Sequence, residues 1–220
     1  MNNKKQYEIR TYRFQMENVN ADEEPGVVYG RPVVYNSRTN IGPFDEIIES
    51  GALDATNLKD VRFLVNHDFN MVPLARSRNN TENSTMRLMP DENGMAVRIR
   101  LDVENNTDAK NLYSAIKRKD IDKMSFAFSI PKGGDIWEDL HSEHPLRRIK
   151  SIGQIFEVSA VTFPAYEDTE LGVRSEENNV SDDAFRVLEN ARINEGKPLD
   201  SDKEARALEL EKLKAEALYF

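Results

Sequence analysis

The sequence predicts a β-dominated α+β fold followed by a helical C-terminal tail. Three observations predict it. Met124–Ile130 alternates: Met124, Phe126, Phe128 and Ile130 point one way, and Ser125, Ala127 and Ser129 the other, the period-2 signature of a strand. Met86–Met89 and Met95–Val103 flank the turn signal PDENG, with Gly94 at a left-handed position, which reads as a β-hairpin. The composition changes at SEENNVSDD, Ser175–Asp183, which is polar, charged and poor in core formers and reads as a linker. The expected organisation is a globular domain over 1–174, a linker over 175–183 and a charged amphipathic tail over 184–220.

The remaining elements follow in chain order. Tyr7–Phe14 is a β-like run. Val27–Tyr35 is another, in which Gly30 and Pro32 indicate an edge or a bulge. Phe44–Ser50 reads as a short helix ending before Gly51. Val61–Val65 reads as a strand with Val61, Phe63 and Val65 on one face. Thr107 caps a helix whose apolar positions are Ala109, Leu112, Tyr113 and Ile116, at i, i+3, i+4 and i+7. Pro131–Arg148 is polar and contains glycine, so it reads as a loop. Phe156–Phe163 suits a buried strand, with Glu157 inside it. In the tail, Ala184, Val187, Leu188 and Ala191 repeat at helical spacing, as do Leu210, Leu213, Ala217 and Phe220, and Gly196 and Pro198 separate the two stretches. Such narrow stripes need a partner, either the chain's own domain or another protein.

Composition narrows the function. The 220 residues carry 39 acids and 30 bases, a net charge of −9, which argues against a surface that coats nucleic acid. Ser175–Phe220 holds −5 of that charge (12 acids, 7 bases), so the excess is concentrated in the tail. The absence of cysteine excludes disulfides, thiolate catalysis, zinc–thiolate sites and iron–sulfur clusters. No apolar run approaches the length of a membrane span, and the basic start MNNKKQYEIR has no apolar segment after it. A soluble intracellular protein is expected.

Four polar groups call for explanation. Ser125 lies opposite the large apolar face of its strand, with small Ala127 and Ser129 beside it leaving room for a substrate backbone; it is either an ordinary strand serine or a nucleophile. His67 ends an apolar strand in VRFLVNHD and is either a base or a structural histidine. His141 and His144, in HSEH, are spaced i, i+3 and could share a metal only on a helix, with no third ligand nearby. Glu157 is flanked by apolar residues on both sides, so it must face water or hold a specific donor such as an imidazole N–H or a basic side chain. A serine, a histidine and a semi-buried acid together supply a nucleophile, a base and an orienting group. A metal-dependent hydrolase centred on His67, Asp68, His141 and His144 is the alternative within enzyme chemistry.

The order of segments adds a resemblance. GALDATNLKDVRFLVNHD, then KRKDIDKMSFAF, then FEVSAVTFPAYEDT resemble the prohead protease family of tailed bacteriophages over roughly Val27 to Arg174. The motifs are Gly51–Leu53, Asn66–Asp68, Met124–Phe126, Glu157–Ser159 and Pro164–Tyr166. The resemblance implies a mostly antiparallel β-barrel with surrounding helices, similar to the herpesvirus assembly proteases. It implies a serine endopeptidase of procapsid maturation, with His67 as general base, Ser125 as nucleophile and Glu157 as the third member; Asp68 is the competing acid. Arg76 and the segment around Ala165 and Tyr166 are the implied oxyanion or substrate contacts. No cofactor or metal is implied. The implied substrates are the major capsid protein or its scaffold and the enzyme itself. A homodimer is implied, no nucleic acid or membrane partner is, and the implied location is the procapsid in the host bacterial cytoplasm. A non-enzymatic scaffold or docking component of the procapsid is the reading from a different class. The chain departs from the family pattern at PLARS, where Ala75 precedes Arg76, and at Ala127, where the family has glycine.

Overall fold

The computed structural model describes residues 7–12, 25–162 and 180–195. Among them are twelve strands and two helices: β1 (Glu8–Tyr12), β2 (Val27–Val34), β3 (Thr39–Asn40), β4 (Asp45–Ile48), β5 (Asp60–Val65), β6 (Ala75–Arg78), β7 (Met86–Asp91), β8 (Gly94–Arg100), α1 (Thr107–Lys117), β9 (Lys123–Ser129), β10 (Asp135–Glu138), β11 (Leu146–Ile149), β12 (Gln154–Val161) and α2 (Val180–Asn194). The strands form three sheets, ordered β1-β9-β12-β5-β6, β10-β11-β4-β3 and β2-β8-β7. The β-dominated α+β class is as expected; among the described residues no sheet closes on itself by strand pairing.

The alternating strand β9 lies next to the centre of the largest sheet. Both its faces are covered, and Met124 through Phe128 are all buried. Its apolar side packs Phe126 and Phe128 (ring centroids 4.8 Å apart) into a core shared with Val28, Phe63, Val97 and Val158. β12 is inserted between β9, to which it runs antiparallel, and β5, to which it runs parallel. That insertion sets Glu157 in one row with Ala127 and Arg62, and Ser159 in one row with Ser125 and Leu64.

The expected irregularity at Gly30 and Pro32 appears as a break in register between Gly30 and Val33. Gly94 takes φ +136°, and a Cβ there would stand 2.2 Å from the Val33 carbonyl oxygen, so only glycine fits this hairpin.

Three local expectations are corrected. Phe44–Ser50 is not a helix; Asp45–Ile48 is strand β4, parallel to β11. Phe44, Glu46 and Ile48 are buried in alternation, but a carboxylate at one of those positions hides the period-2 pattern. The cap of α1 is Asn106, one residue before Thr107, with its side-chain oxygen accepting from the amides of Asp108 (2.9 Å) and Ala109 (3.1 Å). Pro131–Arg148 is not wholly loop: it contains the antiparallel pair β10–β11, whose strands are too short and polar to register as alternation.

Helix α2 folds back on the domain. Ala184 and Leu188 are buried against Ile41 and Phe44, with Trp137 and Leu140 alongside, and Arg192 donates to the carbonyls of Leu140 and Ser142 (both 3.1 Å). For this stretch the partner of the apolar stripe is the chain's own domain. The helix opens at Val180, inside the segment read as linker. The second tail stripe, Leu210 to Phe220, lies outside the described residues.

A buried ion network joins two sheets. Arg10 of β1 is 1% exposed and binds Glu46 of β4 through Nε (2.8 Å) and Nη2 (3.0 Å). Arg147 of β11 binds Glu8 through Nη1 (2.5 Å) and Nη2 (3.0 Å), Glu46 (3.2 Å) and Asp135 (2.7 Å). The Arg10 guanidinium also faces the rings of Phe44 and Phe128, 5.9 and 5.7 Å from their centroids.

Candidate active site

The turn that carries His67 is held in an unusual shape. Asn66 (φ 49°) and His67 (φ 59°) are consecutive left-handed residues, a conformation that costs a non-glycine residue roughly 1–2 kcal/mol. β12 holds them there. The Asn66 amide donates to the Ala160 carbonyl (2.9 Å), the Asn66 side-chain oxygen accepts from the Thr162 amide (3.0 Å), and the His67 amide donates to Ser159 Oγ (3.2 Å).

This turn aims the imidazole at Glu157. His67 Nδ1 lies 2.8 Å from Glu157 Oε1, and the Glu157 side chain is fully buried. An ionised carboxylate only accepts, so with a neutral imidazole this contact puts the proton on Nδ1 and the lone pair on Nε2. Ser159 Oγ donates to the other carboxylate oxygen, Oε2. One carboxylate thus receives both an imidazole and a hydroxyl, and that hydroxyl also accepts the amide of the histidine.

Ser125 is the cross-strand partner of Ser159 on the same face of the sheet, and such partners stand about 4.5–5.5 Å apart at Cβ. The hydroxyl is not bonded to the imidazole. Ser125 is 0% exposed and its Oγ donates to the Arg10 carbonyl at 2.8 Å, while His67 Nε2 is buried with no hydrogen-bond partner. Tyr7 packs next to Phe69 and Phe156, with centroid separations of 5.4 and 5.9 Å. Burial and then the charge of Glu157 hold the Tyr7 hydroxyl above its ordinary pKa.

The other expected residues lie apart from this cluster. Arg76 is on β6, two strands from Glu157, and its guanidinium grips Asp60 through Nε (2.6 Å) and Nη2 (2.8 Å). Asp68 caps its own loop, accepting from the Asn70 amide (2.9 Å), and the acid bonded to the imidazole is Glu157. His141 pairs with Glu195 and His144 with Asp45; neither joins His67, and no group of three or more metal-ligating side chains occurs among the described residues. Ala165 and Tyr166 fall outside the described residues.

Ser159 is the member that sequence reasoning passes over. The available signal was its spacing of two from Glu157, which puts both on one face of a strand. Ser159→Ala strips a partner from the buried Glu157 carboxylate and from the part-buried His67 amide, and the buried loss alone costs roughly 1–3 kcal/mol. If the cluster is catalytic, turnover is expected to fall about 10–100-fold with KM nearly unchanged. A rise in KM alone would remove Ser159 from the positioning of the imidazole.

The arrangement sets an imidazole against a buried carboxylate, on the sheet face that also bears Ser125. An imidazole so held can take a proton from a hydroxyl brought to its Nε2. Comparison with known proteins adds three findings. The family model described as caudovirus prohead serine protease matches residues 12–183. A solved structure of the bacteriophage T4 capsid assembly protease is similar at 13% identity, covering 71% of this chain and 97% of its own, with a TM-score of 0.40. No curated protein matches the chain.

Proposed function

The chain belongs to the caudovirus prohead serine protease family, and we propose that it is a serine endopeptidase that cleaves capsid or scaffolding protein, and itself, within the assembling head. The observation that carries this reading is the 2.8 Å contact between His67 Nδ1 and Glu157, on the sheet face that also bears Ser125.

In the proposed reaction Ser125 Oγ attacks a peptide carbonyl carbon while its proton passes to His67 Nε2. Glu157 fixes the tautomer and stabilises the imidazolium. The imidazolium then protonates the leaving amine as the C–N bond breaks, and water, deprotonated by the same nitrogen, releases the acyl group. Donors for the oxyanion are assigned to the backbone around Ala165 and Tyr166; Arg76 would first have to leave Asp60. Family likeness also supports a barrel-like closure. β2 packs beside β9 and β1, and β7 beside β6, so the three-stranded sheet bridges both edges of the five-stranded one.

The test is co-expression of the chain with its capsid precursor, with processing followed by intact mass. Ser125→Ala is expected to lower processing by about 10³-fold or more while heads still assemble. Full processing by that variant would eliminate the proposed nucleophile and favour a non-enzymatic head component.

A further inference from the structure

Ser125 is closed in this structure, and β1 holds its hydroxyl. Peptide cleavage requires a substrate carbonyl within about 3–3.5 Å of the attacking oxygen. That place is taken: the Arg10 carbonyl receives the Ser125 hydroxyl at 2.8 Å, and Ser125 has no exposed surface. β1 is the edge strand on this side of its sheet. Residues Glu8–Tyr12 pair antiparallel with Phe128–Met124, just as an extended peptide pairs when it adds to a sheet edge. Next to it in sequence, Tyr7 roofs the cluster against Phe69 and Phe156.

What holds β1 down is polar. Of its described side chains, Arg10 and Glu8 enter the buried network, and Ile9 is its apolar contribution. If β1 leaves, Glu46, Asp135 and Arg147 remain, two acids against one base. An arriving strand that brings a cation to the place of Arg10 restores the balance and meets the Phe44 and Phe128 rings; a neutral one leaves the fully buried Glu46 without that cation.

We propose that the β9 edge is the binding site for an extended substrate strand anchored by a basic side chain in the Glu46 pocket, and that β1 is an internal occupant that must be displaced first. The proposal rests on the reading of Ser125 as nucleophile, and it specifies how the substrate of that site is held.

A reversible lock tests it. Ile9 and Ala127 are paired Cα positions, and antiparallel partners stand about 4.5–5.5 Å apart, within disulfide reach. Because the chain has no cysteine, I9C with A127C makes a single defined bridge in the full-length protein. Two readouts are taken, oxidised and after dithiothreitol: cleavage of the capsid precursor, and binding of a fluorescein-labelled peptide of residues 5–14. The oxidised form is expected to lose both by about 100-fold, and reduction to restore both. A peptide with alanine in place of Arg10 is expected to bind the wild-type chain at least about tenfold more weakly. Equal cleavage and peptide binding by the bridged and reduced forms overturn displacement, as does failure of the wild-type chain to bind either peptide. Equal binding of the two peptides overturns the basic anchor. If no form cleaves but peptide binding follows the lock, the strand site stands and the protease reading falls.

Discussion

Replacing His67 by alanine is expected to lower the rate of precursor cleavage by about 10⁴-fold or more, with the fold retained. The imidazole has two jobs in the proposed chemistry, and its two nitrogens divide them. Nδ1 is engaged by Glu157 at 2.8 Å, whereas Nε2 has no bond to give up and is the atom that takes the proton. Glu157→Gln keeps the shape of the carboxylate but removes its charge. It also lets a side-chain amide donate to Nδ1, which would move the ring proton to Nε2 and remove the base. A loss of about 10²–10⁴-fold is expected for this second variant. Single-turnover rates, with urea midpoints as a folding control, check both. His67→Ala retaining a rate within a few-fold of wild type would leave the imidazole outside the chemistry.

The largest effect on stability is expected at Arg10. Arg10→Met leaves Glu46 facing a network with one base fewer, and breaking a buried pair in this way costs about 3–5 kcal/mol. Adding Glu46→Leu to the same chain removes the acid as well, and most of the loss should return. Urea unfolding of the single and double variants decides it; a single variant within about 1 kcal/mol of wild type, well below a buried-pair loss, would mean the network contributes little. The pH dependence has a definite sign. Burial alone would raise the Glu8 pKa, but Arg147 and Arg10 outweigh it and hold Glu8 at about 2, against an ordinary 4.5. A depressed carboxylate contributes stability that is complete above the unfolded value and is lost as pH falls toward the folded one. Glu8 should therefore weaken the fold between about pH 4.5 and 2, and Glu8→Gln should flatten the unfolding midpoint across that window.

Much of this was legible in the sequence, and the reasons differ by residue. The alternation of Met124–Ile130 survives as β9 because its polar positions are small and its apolar ones large, so the period shows even with both faces covered. Glu157 stood out because an acid inside an apolar strand needs a donor, and it has two. β4 was misread because Glu46 is buried, and a charged residue at an inward position breaks the pattern by which strands are recognised. Arg10 and Arg147 escaped notice for the same reason: charges read as solvent-facing until a partner far along the chain is seen. The left-handed turn at Asn66–His67 depends on anchors from β12 about ninety residues away, which no local window contains. The proposed pairing of His67 with Ser125 comes from the family likeness, because spacing alone leaves it open.

The position of β12 also determines when a nascent chain can assemble the proposed site. Among the described strands of its sheet it is the last to be translated, yet it inserts at the centre, between β9 and β5. Until Gln154–Val161 has left the ribosome, the histidine turn lacks its anchors, the imidazole lacks its carboxylate, and nothing bridges the serine strand to the histidine strand. All three arrive together, so if the proposed chemistry holds, an unfinished polypeptide has no assembled site with which to cut its neighbours during synthesis.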